Sequence, residues 1–213
     1  MQSYDNNPYD KWALDTILNL SKKWWETQSW DSFIKENILV SPEDDKENSE
    51  IWKWIFNSIN LSKIYNVLDV GCSWGHTCFN LYTKFKSWDI VGIDISNLLV
   101  GVAKGLKSYI GEPNNIVFFQ SDIHDQIFTD NKFDLVCVHS SFEHFIDPRR
   151  CLYNIRKINN NIMIGIVPMG NAYDNPSHLH HFDNENDLIN FLSSEYNTID
   201  IKLFNDRLAF ICK

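Results

Sequence analysis

One segment constrains the fold of this chain more than any other, and it reads VLDVGCSWG at 67–75. An apolar run leads into small residues at Gly71, Ser73 and Gly75, and a helical pattern begins directly after them. Because glycine and serine have little or no side chain, the backbone of such a turn can come close to a ligand. The pattern predicts a buried strand that ends in a tight, ligand-binding turn.

A second segment, VGIDIS at 91–96, indicates what kind of ligand the turn binds. It ends another apolar strand in Asp94, where a carboxylate can accept hydrogen bonds from the hydroxyls of a ribose. Dinucleotide-binding turns usually read G-x-G-x-x-G, whereas here Asp69 precedes the first glycine. An acidic residue at that position disfavours a pyrophosphate and favours a ligand that carries an ammonium and a sulfonium.

Short apolar runs alternate with helical patterns from residue 66 onward. Strands are predicted at 66–70, 89–94, 115–119, 133–139, 161–167, 197–204 and 207–212, and helices at 76–86, 97–109, 147–157 and 184–194. Such alternation predicts an α/β fold with a Rossmann-like, doubly wound sheet of about seven strands. Asn205 and Asp206 predict a tight hairpin and therefore an antiparallel C-terminal strand. The asparagines at 159–161 predict a turn before the fifth strand.

Taken together, these motifs resemble class I S-adenosylmethionine-dependent methyltransferases over about residues 60–213. Asp94 matches the ribose-binding acid of that family, and QSDIHD at 120–125 matches its adenine-contacting segment. FDLVCVHSSFEHFIDP at 133–148 matches its fourth strand and the segment that follows. The resemblance implies S-adenosylmethionine as the cofactor. The cofactor-binding residues that it implies are Asp69, Gly71, Cys72, Ser73, Gly75, Asp94, Ile95, Asp122, Ile123 and His139.

Ionisable side chains follow two neighbouring strands of the predicted sheet: His139, Glu143, His144, His178, His180 and His181. The carboxyl ends of these strands meet at the edge where doubly wound folds bind ligands. A hydroxyl acceptor benefits from a general base, and histidine titrates near neutrality. We therefore predict Glu143, His144 and His178 as catalytic residues for methyl transfer to an oxygen of a small molecule or (nucleotide-)sugar.

The same residues allow other interpretations. Each histidine can instead line the pocket, and a metal site formed by Glu143, His144 and His181 is a further alternative. No tight ligand spacing supports such a site, so no metal is predicted. The rival functions are a catalytically inactive, S-adenosylmethionine-binding subunit of a partner enzyme and a protein methyltransferase.

The segment before the fold proper is helical and rich in tryptophan. Apolar residues at helical spacing predict one helix over 8–38, and Ser41 followed by Pro42 predicts the start of a second helix. Residues 1–60 are too short to enclose their own core, so we expect them to form a lid over the cofactor of a domain at 61–213. The rings that are candidates for lining an acceptor pocket are those of Trp12, Trp24, Trp25 and Trp30.

Composition argues against several classes of function. A net charge of −9 disfavours an electrostatic grip on nucleic acid. HSSF at 139–142 also replaces the [DNS]-P-P-[YFW] motif of nucleic-acid N-methyltransferases. The 5 cysteines include no C-x-x-C pair and indicate reduced structural thiols. With no visible signal peptide or apolar run of membrane-spanning length, we expect a cytoplasmic protein without membrane or nucleic-acid partners.

Overall fold

The computed structural model describes residues 8–27, 29–125, 128–129, 132–170 and 177–213. The α-helices in this part of the chain are α1 (Pro8–Thr27), α2 (Trp30–Phe33), α3 (Ser49–Ser58), α4 (His76–Lys84), α5 (Asn97–Tyr109), α6 (Pro148–Ile158) and α7 (Glu185–Leu192). The strands are β1 (Asn66–Val70), β2 (Asp89–Asp94), β3 (Ile116–Gln120), β4 (Phe133–His139), β5 (Asn159–Pro168), β6 (Ile199–Phe204) and β7 (Arg207–Cys212).

All of these strands belong to one sheet with the order β3-β2-β1-β4-β5-β7-β6. Strands β1 to β5 run parallel, and β7 runs antiparallel to both β5 and β6. Asn205 lies in the turn between β6 and β7 with φ +52°, a left-handed conformation that asparagine tolerates. The doubly wound sheet and its antiparallel C-terminal strand confirm the prediction.

The sheet is buried on both faces, and its strand order sets the place for a ligand. Along β1, Val67 faces a core cluster with α3, α4 and α5, whereas Leu68 and Val70 face a cluster with α6 and α7. The chain leaves β1 toward β2 on one side and later returns as β4 on the other. Ligands of doubly wound sheets bind at the carboxyl edge of such a switch point.

The N-terminal helices pack onto the side of this domain. Trp52 of α3 is 2% exposed and belongs to the same cluster as Val67, while α1 lies against α5. Arg207 donates a hydrogen bond to Asn48 Oδ1 over 2.6 Å and so ties the segment before α3 to β7. The main cavity of the structure lies at the carboxyl edge of the sheet. Among the described residues, none before Val70 lines it. A lid formed by residues 1–60 stays a prediction.

The helical character predicted for 8–38 is confirmed in the described residues, but one continuous helix is not formed. Helix α1 ends at Thr27, α2 starts at Trp30, and Ile34–Ile38 form a π-helical turn. Both ends of that turn are buried, Ile34 at 5% exposure and Ile38 at 0%. Contacts with the core therefore take precedence over the regular helical spacing.

The predicted helix start at Ser41 is also wrong. The Ser41 hydroxyl donates to Glu43 over 2.9 Å, a 3-10 turn follows, and α3 begins only at Ser49. The predicted asparagine turn is likewise absent, because Asn159 has φ −90° and begins β5. Its side chain is held in the core by the Tyr196 hydroxyl at 3.2 Å.

Of the tryptophans proposed for an acceptor pocket, only Trp24 has a described side chain. It lies with Leu20 and Leu106 in an apolar groove between α1 and α5, away from the main cavity. The side chains of Trp12, Trp25 and Trp30 lie outside the described part of the structure.

All five cysteines are buried free thiols, as expected for structural residues: Cys72, Cys78, Cys137, Cys151 and Cys212. Among the described residues, no helix has the length and apolarity needed to cross a membrane.

Candidate functional site

A cavity of about 180 Å³ opens at the carboxyl edge between β1 and β4, where the strand order reverses. Seven of the predicted cofactor residues line it: Gly71, Ser73, Asp94, Ile95, Asp122, Ile123 and His139. Among the predicted catalytic residues, His144 lines the cavity, whereas Glu143 and His178 lie behind that wall. The lining also includes residues that sequence reasoning missed: Ser121, His124, Ser140, Ser141, Phe145 and Ser177.

Asp94 is fixed at the cavity wall by two backbone N–H groups. Ser73 donates to Oδ2 and Ser96 donates to Oδ1, each over 2.8 Å. Burial raises the pKa of the Asp94 carboxyl, and these two hydrogen bonds oppose that rise. The cap of α5 is Ser96, whose hydroxyl accepts from the N–H of Leu99. Asp94 therefore does not cap α5, and its carboxyl group is held in a fixed position at the cavity wall.

Gly71 brings the turn after β1 into contact with the turn after β4. Its φ is +73°, and a Cβ at this position would lie 2.4 Å from Ser141 Oγ. That hydroxyl is in turn held by the His139 carbonyl at 3.1 Å. Only glycine fits both the backbone conformation and the contact, so no side chain at this position separates the backbone of the turn from the cavity.

Asp69 lies beneath the turn and does not reach the cavity lining, because its side chain points to the α4 face of β1. It is 1% exposed, and the Cys78 thiol donates to Oδ2 over 3.3 Å. Burial raises the pKa of Asp69 to about 7; the Cys78 hydrogen bond opposes this and the charge of Asp94 adds to it.

Two further predicted cofactor residues also lie beneath the turn. The Cys72 sulfur packs 2.9 Å from where Gly92 would carry a Cβ. Gly75 has φ +91°, and a Cβ there would lie 2.8 Å from the Phe118 ring. The structure does not bring Cys72 or Gly75 to the cavity wall, so both shape the turn from below rather than face a ligand.

His124 lies within the segment 120–125 that the resemblance assigned to adenine contact, but it was not singled out there as a site residue. Asp122 Oδ1 accepts from both the backbone N–H and Nδ1 of His124, at 2.9 and 2.6 Å. On its other side, His124 Nε2 accepts from the N–H of Asp147 at the start of α6, at 3.1 Å. The ring thus links the loop after β3 to α6. Its position two residues after Asp122 is the one sequence signal that could have identified it.

His139 ends β4 and forms part of the cavity floor. Its Nδ1 lies 3.3 Å from Thr77 Oγ1, and its ring meets Trp52 edge-on at 6.1 Å. Burial, with the positive charge of His76, lowers the pKa of His139 to about 3. The ring is therefore neutral at physiological pH.

Glu143, His144 and His178 form a cluster against this wall. One donor atom from each residue lies within 4.8 Å of the others. His144 Nε2 is 4.0 Å from Glu143 Oε1, and the rings of His144 and His178 meet edge-on at 4.9 Å. The structure thus brings together the three predicted catalytic residues. His181 is farther out, with its ring 6.4 Å from that of His178, so the alternative metal set with His181 is not assembled.

Burial changes the acid–base character of the cluster. It lowers the pKa of His144 to about 4, a shift that the hydrogen bond to the Ser177 carbonyl opposes. Burial also lowers the pKa of His178, and it raises the pKa of Glu143 to about 8. His144 is therefore a neutral ring that can accept a proton, but a weaker base than a histidine that titrates near neutrality.

Comparison with known proteins gives the family. Residues 61–204 match a protein family described as "Methyltransferase domain". Ajmaline N-methyltransferase of Rauvolfia serpentina is 32% identical over 93 residues, which are 44% of this chain and 32% of that protein. Chloroplastic tocopherol O-methyltransferase of Arabidopsis thaliana is 32% identical over 96 residues, or 45% of this chain and 27% of that protein. The aligned region thus spans about a third of each curated relative.

A solved structure shares the fold over nearly the whole chain. It is a SAM-dependent methyltransferase from Aquifex aeolicus with a TM-score of 0.62, covering 91% of this chain and 97% of that one at 15% identity. The family match covers more than half of the chain, and it includes strands β1 to β6 and the residues that line the cavity. The chain therefore belongs to the class I S-adenosylmethionine-dependent methyltransferase family, and S-adenosylmethionine is its cofactor.

Proposed function

We propose that this protein methylates an oxygen of a small molecule or (nucleotide-)sugar. One observation carries the proposal: His144 belongs both to the cavity wall and to the cluster with Glu143 and His178. A cleft suited to the cofactor and a set of groups suited to a hydroxyl acceptor therefore share one wall.

The cavity residues fit S-adenosylmethionine. Each oxygen of Asp94 accepts one backbone N–H, and a carboxylate oxygen has a second acceptor position that suits a ribose hydroxyl. Ile95 lines the cavity although it is 43% exposed, and it stands with Ile93 and Ile123. An apolar wall of this kind suits the flat face of adenine.

The bound cofactor supplies the methyl group, and the chain must then position the acceptor and remove its proton. We assign this task to His144, His178 and Glu143. The His144 ring is neutral because burial lowers its pKa to about 4, and it is oriented by the hydrogen bond from Nδ1 to the Ser177 carbonyl over 3.0 Å. Its Nε2 lies on the side of Glu143, so a proton lost by a hydroxyl beside His144 can pass into this cluster.

A small-molecule acceptor is supported by the relatives. Their names specify methyl transfer to ajmaline at nitrogen and to tocopherol at oxygen. Oxygen is the acceptor proposed here, because neutral histidines and a carboxyl group beside the cavity suit the removal of a hydroxyl proton.

The test is methyl transfer from labelled S-adenosylmethionine to a panel of hydroxylated small molecules and nucleotide sugars. We expect turnover with at least one acceptor, and we expect His144→Gln and His178→Gln to lower kcat at least tenfold. The Kd for S-adenosylhomocysteine should stay within about twofold of that of the wild type. Cofactor binding without methylation of any acceptor would instead favour the inactive-subunit alternative, and methylation of proteins alone would favour a protein methyltransferase.

A further inference from the structure

The cluster beside the cavity has the composition of a metal site. Among the residues that the structure describes, Glu143, His144 and His178 each place one donor atom within 4.8 Å of the other two. We propose that these three side chains bind one divalent transition-metal ion at the acceptor side of the cavity.

Two buried polar atoms in the cluster lack partners. Glu143 is 1% exposed, and no hydrogen-bond partner from the described residues reaches its Oε2. The same holds for Nδ1 of His178. A buried polar atom without a partner costs about 1–3 kcal/mol, so two of them in one cluster call for a ligand. A metal ion is a partner that suits a carboxylate oxygen and an imidazole nitrogen together.

His144 is arranged as metal-binding histidines usually are. Its Nδ1 lies 3.0 Å from the Ser177 carbonyl and 3.1 Å from the Ser177 hydroxyl. Because a carbonyl oxygen can only accept, we assign the proton to Nδ1, which leaves the lone pair of the neutral ring on Nε2. A histidine that coordinates a metal typically donates its other ring N–H to a carbonyl or carboxylate in this way. The Nε2 atom is also the one directed to Glu143, at 4.0 Å from Oε1.

The backbone holds the two contributing segments together. The Glu143 carbonyl accepts the N–H of Leu179 over 2.7 Å and that of His180 over 3.1 Å. These bonds fix the loop that carries His178 against the segment that carries Glu143 and His144. The three donors are thus positioned by the fold and not by chance proximity of mobile side chains.

The donor set indicates the kind of ion. Two imidazoles and one carboxylate favour Zn²⁺, Co²⁺ or similar ions over Mg²⁺ and Ca²⁺, which prefer oxygen ligands. Donor atoms around a tetrahedral ion lie about 3.3 Å apart, since Zn–N distances are about 2.0–2.1 Å. Side-chain movements of about 1 Å would therefore close the cluster around the ion. Three protein ligands leave a coordination position open, as in catalytic metal sites.

The open position has a use in the proposed reaction. Because His144 lines the cavity, an ion bound to it is within reach of an acceptor oxygen there. Coordination makes a hydroxyl more acidic, so its proton can leave to solvent while the three side chains serve as ligands and not as the base. This role rests on the proposed function. Binding of the ion does not, and it can be measured without cofactor or acceptor.

The experiment is a titration of the full-length, metal-stripped protein with Co²⁺, followed by its visible absorption and by equilibrium dialysis. We expect one bound Co²⁺ per chain with d–d bands typical of nitrogen and oxygen ligands, and displacement by Zn²⁺. Glu143→Gln and His178→Gln should each weaken binding at least tenfold. His181→Gln is the matched control, because it removes a histidine of the same loop that lies outside the cluster.

Circular dichroism must show that each variant is folded, and if Glu143→Gln is not, His178→Gln decides alone. Absence of Co²⁺ binding by the wild type would overturn the proposal. So would wild-type affinity in His178→Gln, or a thiolate-to-cobalt charge-transfer band, which would place the ion at the cysteines. Each of these results would leave the proposed methyl transfer standing.

Discussion

The backbone N–H of Ser73 donates to Oδ2 of Asp94 over 2.8 Å and thereby joins the turn after β1 to the end of β2. Ser73 has φ +52°, an uncommon conformation for a residue other than glycine. Strained residues of this kind persist where the surrounding structure holds them, often at ligand sites. The bond makes the small-residue turn and the acid after it one structural unit.

Asp94→Ala should weaken cofactor binding. The substitution removes the acceptor for a ribose diol and the group that holds the turn at Ser73. We expect the Kd for S-adenosylhomocysteine to rise at least tenfold, equivalent to about 1.4 kcal/mol. Isothermal titration calorimetry measures it, with Asp89→Ala as control, since Asp89 is an exposed residue at the start of the same strand. Equal affinities in the two variants would contradict the assignment of Asp94.

Gly71→Ala should destabilise the fold through one specific contact. The new Cβ would lie 2.4 Å from Ser141 Oγ and 2.9 Å from its Cβ. We expect a loss of about 1–3 kcal/mol in the free energy of unfolding, measured by urea denaturation. The clash is absent when Ser141 is replaced by glycine. In the Ser141→Gly background, Gly71→Ala should therefore lower the free energy of unfolding by only about 1 kcal/mol, which is the cost of the positive φ.

The matched control for that series is Gly101→Ala. Gly101 lies inside α5, and a Cβ there meets nothing within 4 Å. Since alanine is the better helix former, this variant should gain about 0.5–1 kcal/mol. If Gly71→Ala behaved like Gly101→Ala, the contact between the two turns would not be the constraint described here.

His124→Ala should loosen the adenine side of the proposed cofactor site. It removes the link between Asp122 and the N–H of Asp147, worth about 1 kcal/mol for a net hydrogen bond. The Kd should rise about fivefold for both S-adenosylhomocysteine and adenosine, because the effect is confined to the nucleoside. A change for S-adenosylhomocysteine alone would place the role of His124 elsewhere in the cavity.

Asp69→Asn should change how stability depends on pH. The folded-state pKa of Asp69, about 7, lies above the ordinary value of 3.8 because the side chain is buried. Between these values the folded chain binds more protons than the unfolded chain, so this carboxyl lowers stability as pH rises. Asparagine resembles the protonated acid and removes that dependence.

Denaturation of the cofactor-free protein at pH 5 and pH 8 tests this. From pH 5 to pH 8, the free energy of unfolding of the variant should rise relative to that of the wild type by on the order of 2 kcal/mol, since one pKa unit corresponds to about 1.4 kcal/mol. Asp89→Asn, at an exposed position of the sheet, should show no such gain. A pH-independent difference between Asp69→Asn and the wild type would mean that the carboxylate is ionised in the fold.

Local patterns predicted much of the architecture because they report short-range physics. Alternating apolar runs marked β1 to β5, and Asn205 marked the hairpin before β7. The N-terminal segment was harder, since its π-helical turn at 34–38 follows from burial of Ile34 and Ile38 against distant parts of the chain. Helical spacing alone carries no information about such contacts.

Some residues of the candidate site could likewise be predicted from local sequence, and others could not. Asp94 could be identified from sequence, because the end of a strand after a small-residue turn has one common geometry in this fold. Asp69 could not be separated from the cavity residues, since the face on which its side chain lies depends on the burial of its neighbours. The choice of His178 over His181 in the cluster also depends on how the Glu143 carbonyl holds the loop.

The sequence by itself determined the fold class and the family, and it predicted the edge of the sheet at which the candidate cofactor site lies, because strand periodicity and turn chemistry are local properties. The tertiary structure decided which side chains meet there. It placed Glu143, His144 and His178 together, buried Glu143 fully and the two histidines in part, and shifted the pKa values of all three. Those contacts join segments far apart in the chain, and the low polarity around them arises only when the core closes.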